Sequence, residues 1–370
     1  TVTDAAAKGK TIGKAPDGRV IFLNNTVPGD VVDVQTTKKR KAYFEGSAIN
    51  FHSLSDKRVD PVCQHFNVCG GCKWQHVDYA AQLRHKEKGV YDVIQRIGKV
   101  DVADKQPILG GAETTYYRNK LEFGCANRRW LTEEEGKDES ISQMENVVGF
   151  HRPGAYDKLI QIDHCYLQGG PSNDIRNGVK ALAEEMDMPF FDMRERTGML
   201  RQLMIRTSTL NQTMILIAFF EDKQDIIQPF LAAVQEKFPQ ITSLFYCINP
   251  KVNEYLMDLE MRLYSGNPFM EEELGKVRYQ IGPKSFFQTN THQATRLFEI
   301  AAEFADLQGT ENVYDLYTGI GSIALFLAGK CRQVVGIEEI AAAIDDAKKN
   351  AALNEIENAV FYAGDEKDIL

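Results

Sequence analysis

No stretch of this chain carries the roughly 20 consecutive apolar residues that a bilayer-crossing helix needs, so a helical membrane protein is excluded. The N-terminus has no charged segment followed by an apolar one, and a cytoplasmic protein without membrane contact is expected. Cysteine is too unevenly placed for a disulfide framework. Of seven, Cys63, Cys69 and Cys72 crowd together while Cys125, Cys165, Cys247 and Cys331 are scattered. Clustered thiols in a reducing compartment more often bind metal. Internal repeats and low-complexity segments are missing, and 43% hydrophobic with 26% charged residues over 370 positions excludes wholesale disorder. That length accommodates two or three domains, each with its own core. An overall positive charge is missing too, since the formal net charge is -9. The distribution matters more than the sum: residues 1–130 hold 21 lysines and arginines against 14 carboxylates, a net +7, leaving -16 for the rest. A basic front on an acidic body permits RNA binding without establishing it.

What is present falls into four segments. Residues 19–23, 31–35 and 42–50 alternate apolar and polar between Gly and Pro turns, which predicts a small OB-like β-barrel over 1–56. Its basic run Lys38-Lys39-Arg40-Lys41 is either a solvated hairpin tip or a phosphate-contacting one. Residues 57–106 hold the cysteine cluster and a helix over 77–97, whose apolar residues Leu83, Val90, Val93, Ile94 and Ile97 read as a packing stripe. Residues 107–270 mix strand-like runs at 120–126, 200–207, 214–220 and 241–247 with helices near 173–186 and 224–237, an α+β segment without a motif of its own. An acid-rich stretch at 131–145 reads as an exposed loop. From 271 the chain alternates helix, strand, helix, strand, helix and strand, the period of βαβ units in a parallel sheet.

The cofactor signal lies in that last segment. A strand over 313–316 runs into Tyr317-Thr318-Gly319-Ile320-Gly321-Ser322, where glycines allow a tight turn and close approach to a ligand. The next strand ends in Glu338, placed to accept hydrogen bonds from both ribose hydroxyls of an adenosine, and the third ends at Gly364-Asp365, placed for the adenine edge. One Gly-x-Gly turn is an ordinary strand–helix connection as often as a site. Three ordered strand ends are stronger evidence. The pattern Asp-x-x-x-Gly-x-Gly provides no third glycine for a pyrophosphate, which favours S-adenosylmethionine over a dinucleotide.

Cys63-x5-Cys69-Gly-Gly-Cys72 places three thiols on one short loop, and Gly70-Gly71 lets the backbone wrap a compact object. A 4Fe-4S cluster needs a fourth thiolate, for which Cys165 in Asp163-His164-Cys165-Tyr166 is the candidate. Zinc held by three cysteines and His65 or His76 is the rival.

These residues resemble the bacterial RNA m5U methyltransferases that combine an N-terminal TRAM domain, a 4Fe-4S cluster and a class I (Rossmann-like) methyltransferase domain, and most of all the branch acting on 23S ribosomal RNA. The resemblance covers nearly the whole sequence. Its marks are Cys63-x5-Cys69-Gly-Gly-Cys72-x2-Gln75-His76, Ser285-Phe286-Phe287-Gln288-Thr289-Asn290 and Asp315-Leu316-Tyr317-Thr318-Gly319-Ile320-Gly321. It implies a cluster on Cys63, Cys69, Cys72 and Cys165, structural or RNA-positioning and not redox-active. It implies cofactor contacts at Gln288, Tyr317, Ser322, Glu338 and Asp365, with Tyr317 and Ser322 replacing types that are often Phe and Asn. Phe286 matches a residue near the target uracil, against the plainer reading of a core phenylalanine. Arg118 and Lys120, in Tyr117-Arg118-Asn119-Lys120, match RNA-contacting positions, against a solvated strand edge. The implied partner is ribosomal RNA ahead of transfer RNA, and the implied protein a monomer.

The implied chemistry is covalent. A cysteine thiolate adds at uracil C6, C5 then attacks the cofactor's methyl group, a base removes the C5 proton and elimination frees the enzyme. The target nucleotide must leave its stack to expose C5 and C6. The family's Asp-Pro-Pro-Arg loop, nucleophilic cysteine and terminal glutamate base fall downstream of the third strand, and are expected beyond Leu370, so that the methyltransferase domain is expected truncated and the chain as given inactive. Cys331, Cys125 and Cys247 read as packing residues. Two other readings stay in play: a radical S-adenosylmethionine methylthiotransferase, whose usual C-x3-C-x2-C spacing is absent, and an RNA- and cofactor-binding module without turnover.

Overall fold

The computed structural model describes residues 1–132, 134–155 and 157–369. The chain divides into two compact units, Thr1–Ala112 together with Arg152–Gly154, and Glu113–His151 together with Ala155 onward.

In the first unit β1 (Val2–Ala5), β2 (Thr11–Lys14), β3 (Val20–Asn24), β4 (Val31–Lys39) and β5 (Tyr43–Ser53) form a sheet in the order β1-β2-β3-β5-β4. Only β3 and β5 run parallel. Val2 N–H donates to the Asp30 carbonyl (2.8 Å) and Gly29 N–H to the Val2 carbonyl (2.9 Å), tying the first strand to the start of β4 and rolling the sheet towards a barrel. Val2, Ile21 and Leu23 form its small core. Asp30 is fully buried and accepts from Val27 N–H (2.7 Å), Ser55 N–H (2.9 Å) and the Arg58 guanidinium (2.6 and 2.9 Å). Burial pushes this carboxyl up; the Arg58 guanidinium and the two amides more than compensate and hold it below the ordinary carboxylate range. The basic run is the exposed tip between β4 and β5.

Helix α1 (Tyr79–Arg96) starts at Asp78, whose carboxylate accepts the Ala81 N–H (3.0 Å). Its apolar stripe is not the packed face that the periodicity predicts. Ala81 is its buried residue, packed with Val27 and Val77, whereas Val90, Val93 and Ile97 are 56%, 54% and 77% exposed. Spacing fixes which side chains share a face and leaves open whether anything covers it.

The second unit opens with β6 (Lys120–Ala126), β7 (Val147–His151), β8 (Leu159–Gln161), α2 (Ser172–Glu185), β9 (Leu200–Thr207), β10 (Thr213–Phe219), α3 (Gln224–Lys237), β11 (Ser243–Ile248) and β12 (Arg262–Gly266). The sheet order is β12-β11-β10-β9-β6-β7-β8, with β10 and β11 parallel across the α3 crossover. A hairpin follows, β13 (Met270–Leu274) with β14 (Val277–Ile281), and then α4 (Thr291–Ala305). Next come β15 (Asn312–Leu316), α5 (Ser322–Ala328), β16 (Gln333–Glu338), α6 (Ala341–Leu353), β17 (Ala359–Ala363) and α7 (Glu366–Ile369). The last three strands are parallel, in register through Leu316, Ile337 and Tyr362. One apolar core joins the two sheets, running from Met204, Leu216 and Phe245 through Tyr279 and Phe298 to Val334 and Phe361.

Candidate cofactor and substrate site

The carboxyl ends of β15, β16 and β17 converge. Gly321, at φ 82°, has only 3.2–3.3 Å between an added Cβ and Phe361, Ala347 and Leu325, so both conformation and packing demand glycine. Gly319, at φ 57°, has open space where its Cβ would stand, a cradle beside the turn. Its N–H donates to one Glu338 oxygen (3.2 Å) while Ile340 N–H donates to the other (3.0 Å), so the carboxylate is fixed across the strand ends with lone pairs to spare. Gly364 N–H donates to the Glu338 carbonyl (3.0 Å) and brings Asp365 alongside. The Asp365 carboxylate accepts from Lys367, through its N–H (3.1 Å) and its ammonium (2.5 Å).

Tyr317 is held at φ 61° and is 73% exposed. A left-handed non-glycine residue with its ring in solvent is strain without packing gain, a pattern concentrated at ligand sites. Ser322 is half-buried at the start of α5, its carbonyl accepting the Tyr279 hydroxyl (2.8 Å). Asp315 braces the turn, a role the motif alone does not reveal: one oxygen accepts the Thr318 hydroxyl (2.7 Å) and Ala324 N–H (3.0 Å). Burial pushes its carboxyl above the ordinary range, against the pull of those two donors.

The segment from Ser285 to Asn290 is gripped at both ends. At one end the nearly buried Arg206 donates to the Ser285 carbonyl (2.7 Å), its own pKa pulled down to about 10 by burial. At the other, Asn119 N–H donates to the Thr289 carbonyl (2.8 Å), and Asn290 caps α4 by accepting the Gln293 N–H (3.0 Å). Between these grips the two phenylalanines part company. Phe287 is 5% exposed in the core and Phe286 is 73% exposed, so the core reading of Phe286 is corrected: its neighbour takes that place. Gln288 sits half-buried just beyond.

Lys120 pairs with Arg206 of β9, while β7 joins β6 only from Gly124 to Ala126; its ammonium pairs with Glu122 (2.7 Å). Arg118 precedes it, its Nε donating to the Lys120 carbonyl (3.4 Å). Arg118, Asn119, Thr207, Thr209, Glu272 and Thr291 are among the residues lining a cavity of about 400 Å³.

In the first unit the three clustered cysteines are half-buried on a loop of tight turns. Cys63 N–H donates to the Gln75 side chain (3.2 Å), Cys69 N–H to the His65 carbonyl (2.8 Å), and Gly71 N–H points at the Cys69 sulfur (3.4 Å). Three soft donors with an amide aimed at sulfur fit an iron–sulfur centre in their chemistry. Among the described residues no group of three or more His, Cys, Asp or Glu is gathered in a metal-holding arrangement. His76 is buried against Phe66 (centroids 5.0 Å apart), and that burial pulls its pKa down. Cys165, in the second unit, is buried with its backbone clasped by the Asn173 side chain (2.8 and 3.2 Å).

The remaining cysteines lack the character of a nucleophile. Burial raises the Cys125 thiol far above its ordinary value and pushes Cys247 up to about 12. Cys331 is 8% exposed, faces the Leu327 and Ala328 carbonyls (3.6 and 3.8 Å), and is likewise raised by burial. A thiolate is the reactive form, so all three are packing residues.

Residues 1–49 match the TRAM domain, and residues 259–363 match the family described as tRNA (uracil-5-)-methyltransferase. An uncharacterized RNA methyltransferase of Bacteroides thetaiotaomicron is 49% identical over 368 residues, 99% of this chain and 81% of that protein. One of Porphyromonas gingivalis is 46% identical, covering 100% of this chain and 80% of its own length. The crystal structure of the Pyrococcus abyssi tRNA (uracil-54, C5)-methyltransferase, solved with S-adenosyl-L-homocysteine, superposes with a TM-score of 0.73 over 98% of this chain and 79% of that one, at 23% identity, a likeness of fold.

Proposed function

We propose, for a chain that belongs to the TRAM-domain RNA (uracil-5-)-methyltransferases, that the uridine it methylates lies in 23S ribosomal RNA. The enzyme class is an S-adenosylmethionine-dependent RNA methyltransferase, and the ribosomal assignment rests on the likeness of the cysteine and Ser285–Asn290 motifs to the large-subunit branch. S-adenosylmethionine supplies the electrophilic methyl group. The residues supporting this reading are the strand ends: Glu338 receives the ribose hydroxyls, Asp365 the adenine edge, Tyr317 packs its exposed ring on the ligand, and Ser322 and Gln288 add polar contacts. Phe286, exposed two residues before Gln288, offers its ring to the extruded uracil, and Arg118 and Lys120 meet the RNA backbone. The cysteine loop carries a 4Fe-4S cluster with Cys63, Cys69 and Cys72 among its ligands, a rigid element and not a redox step.

The single observation that carries the pocket is Glu338, held across the turn by Gly319 and Ile340. Replacing it, Glu338→Ala, is expected to weaken S-adenosylhomocysteine binding at least about thirty-fold, since charge-assisted hydrogen bonds are worth roughly 1.5–3 kcal/mol each. Calorimetric titration measures this, and unchanged affinity rules the pocket out. The substrate is tested by mass mapping of RNA from a deletion strain. A 23S uridine that loses its methyl group is expected; loss from transfer RNA replaces the ribosomal assignment, and an intact profile overturns both.

A further inference from the structure

We infer that Asn119 is a positioning residue for the cofactor contact at Gln288, an inference that rests on the pocket proposed above. Its side-chain Nδ2 donates twice, to the Gln288 carbonyl (2.8 Å) and to the Thr291 hydroxyl (2.9 Å). Its backbone is engaged on both sides: Asn119 N–H donates to the Thr289 carbonyl (2.8 Å), and Thr207 N–H donates to the Asn119 carbonyl (2.9 Å). One residue immediately before β6 thereby fixes three points, Gln288, Thr289 and Thr291, of a segment some 170 positions later and anchors it to the central sheet.

The orientation of the amide follows from its surroundings. Thr291 is 5% exposed, and its hydroxyl donates to Glu272 (2.8 Å), which is fully buried. The other Glu272 oxygen accepts the Thr209 hydroxyl and N–H (3.1 Å for the latter). With its proton committed to Glu272, the Thr291 oxygen presents a lone pair to Asn119, so the group facing it must be the NH2. That same NH2 reaches the Gln288 carbonyl with its second proton. Asparagine is the residue this geometry requires: a carboxylate of the same shape has no proton to give and would face a carbonyl and a hydroxyl oxygen at under 3 Å.

Fixing the Gln288 carbonyl fixes the peptide planes from which the Gln288 side chain departs. Arg118 and Lys120, which flank Asn119, are the residues proposed to meet RNA, so the segment that receives the polynucleotide also sets the register of the cofactor contact.

The test is a double-mutant cycle on the full chain, read by calorimetric titration with S-adenosylhomocysteine. Asn119→Ala is expected to weaken binding about ten-fold, the equivalent of one hydrogen-bond position lost. In a Gln288→Ala background the same change is expected to add less than two-fold, because a residue that acts through Gln288 has nothing left to position. A merely structural role gives the same loss in both backgrounds and overturns the inference, as does affinity within two-fold of the parent in Asn119→Ala alone. Should Asn119→Ala fail to fold, Asn119→Asp keeps shape and backbone bonds while removing the donors, and the same two outcomes decide. Glu338→Ala separates the levels: if it too leaves affinity unchanged, the pocket is wrong; if it weakens binding and Asn119→Ala does not, only the positioning role fails.

Discussion

The two compact units solve the problem of holding a sheet together differently. The first has two small apolar clusters, Val2, Ile21 and Leu23 in one and Val27, Val77 and Ala81 in the other, and a fully buried Asp30 that accepts from Arg58 and two backbone amides. The second has a continuous apolar core through which two sheets share Met204, Leu216, Phe298 and Phe361. A small unit cannot bury enough apolar surface to hold its shape unaided, so a charge network completes the job. A large core relieves polar groups of that duty. In the second unit Asn119, Arg206 and Glu272 are buried or half-buried, and each is spent on the geometry of one loop, the segment from Ser285 to Thr291.

The sharpest break of this comparison is a matched pair of truncations. Phe298→Ala, at 2% exposure in the second core, is expected to cost about 3–5 kcal/mol of unfolding free energy. Asp30→Ala removes no apolar surface, yet is expected to cost about 3 kcal/mol, because it strands the partly buried Arg58 and two amides. Denaturant unfolding measures both. A loss under about 1 kcal/mol for Asp30→Ala would show that the small apolar core suffices.

The same contrast governs what could be read from sequence. Strands β9 and β10 are buried on both faces; the unbroken apolar run from Met214 to Phe219 announced β10 almost to the residue, and in β9 the apolar residues Leu200, Leu203, Met204 and Ile205 did so despite Arg201, Gln202 and Arg206. Strands β1 and β2 have four residues each and lean on threonine, glycine and lysine, so no period emerged. The hairpin β13–β14 was not legible, because three successive glutamates, Glu271, Glu272 and Glu273, interrupt its apolar pattern. In the fold Met270, Glu272 and Leu274 point inward, and Glu272 is tolerated there because Thr209, Thr291 and a backbone amide satisfy it. At the site, the glycine turn and Glu338 were legible because their chemistry is local. Asn119 was not, since its partners lie across the chain and nothing in Tyr117-Arg118-Asn119-Lys120 distinguishes the asparagine. The exposure of Phe286 likewise depends on which of two adjacent phenylalanines the grip at Ser285 turns outward.

The smallest expected effect sharpens the comparison most, because its sign differs between the units. Asp30 titrates below its ordinary value of 3.8 in the fold, so its stabilisation is present above that value and is lost as pH falls through the lower folded pKa. Asp315 titrates above 3.8 because burial outweighs its two donors. Its contribution is therefore complete below the ordinary value and declines as pH rises through the higher folded pKa. Unfolding free energies of the parent, Asp30→Asn and Asp315→Asn, followed from about pH 6 to about pH 3, separate the two. The advantage of the parent over Asp30→Asn is expected to shrink on acidification, while the parent gains on Asp315→Asn over the same range. Parallel curves for both variants would mean that the buried carboxylate of the first unit is no better held than the one beneath the glycine turn, and the distinction between the two ways of building a core would fall with it.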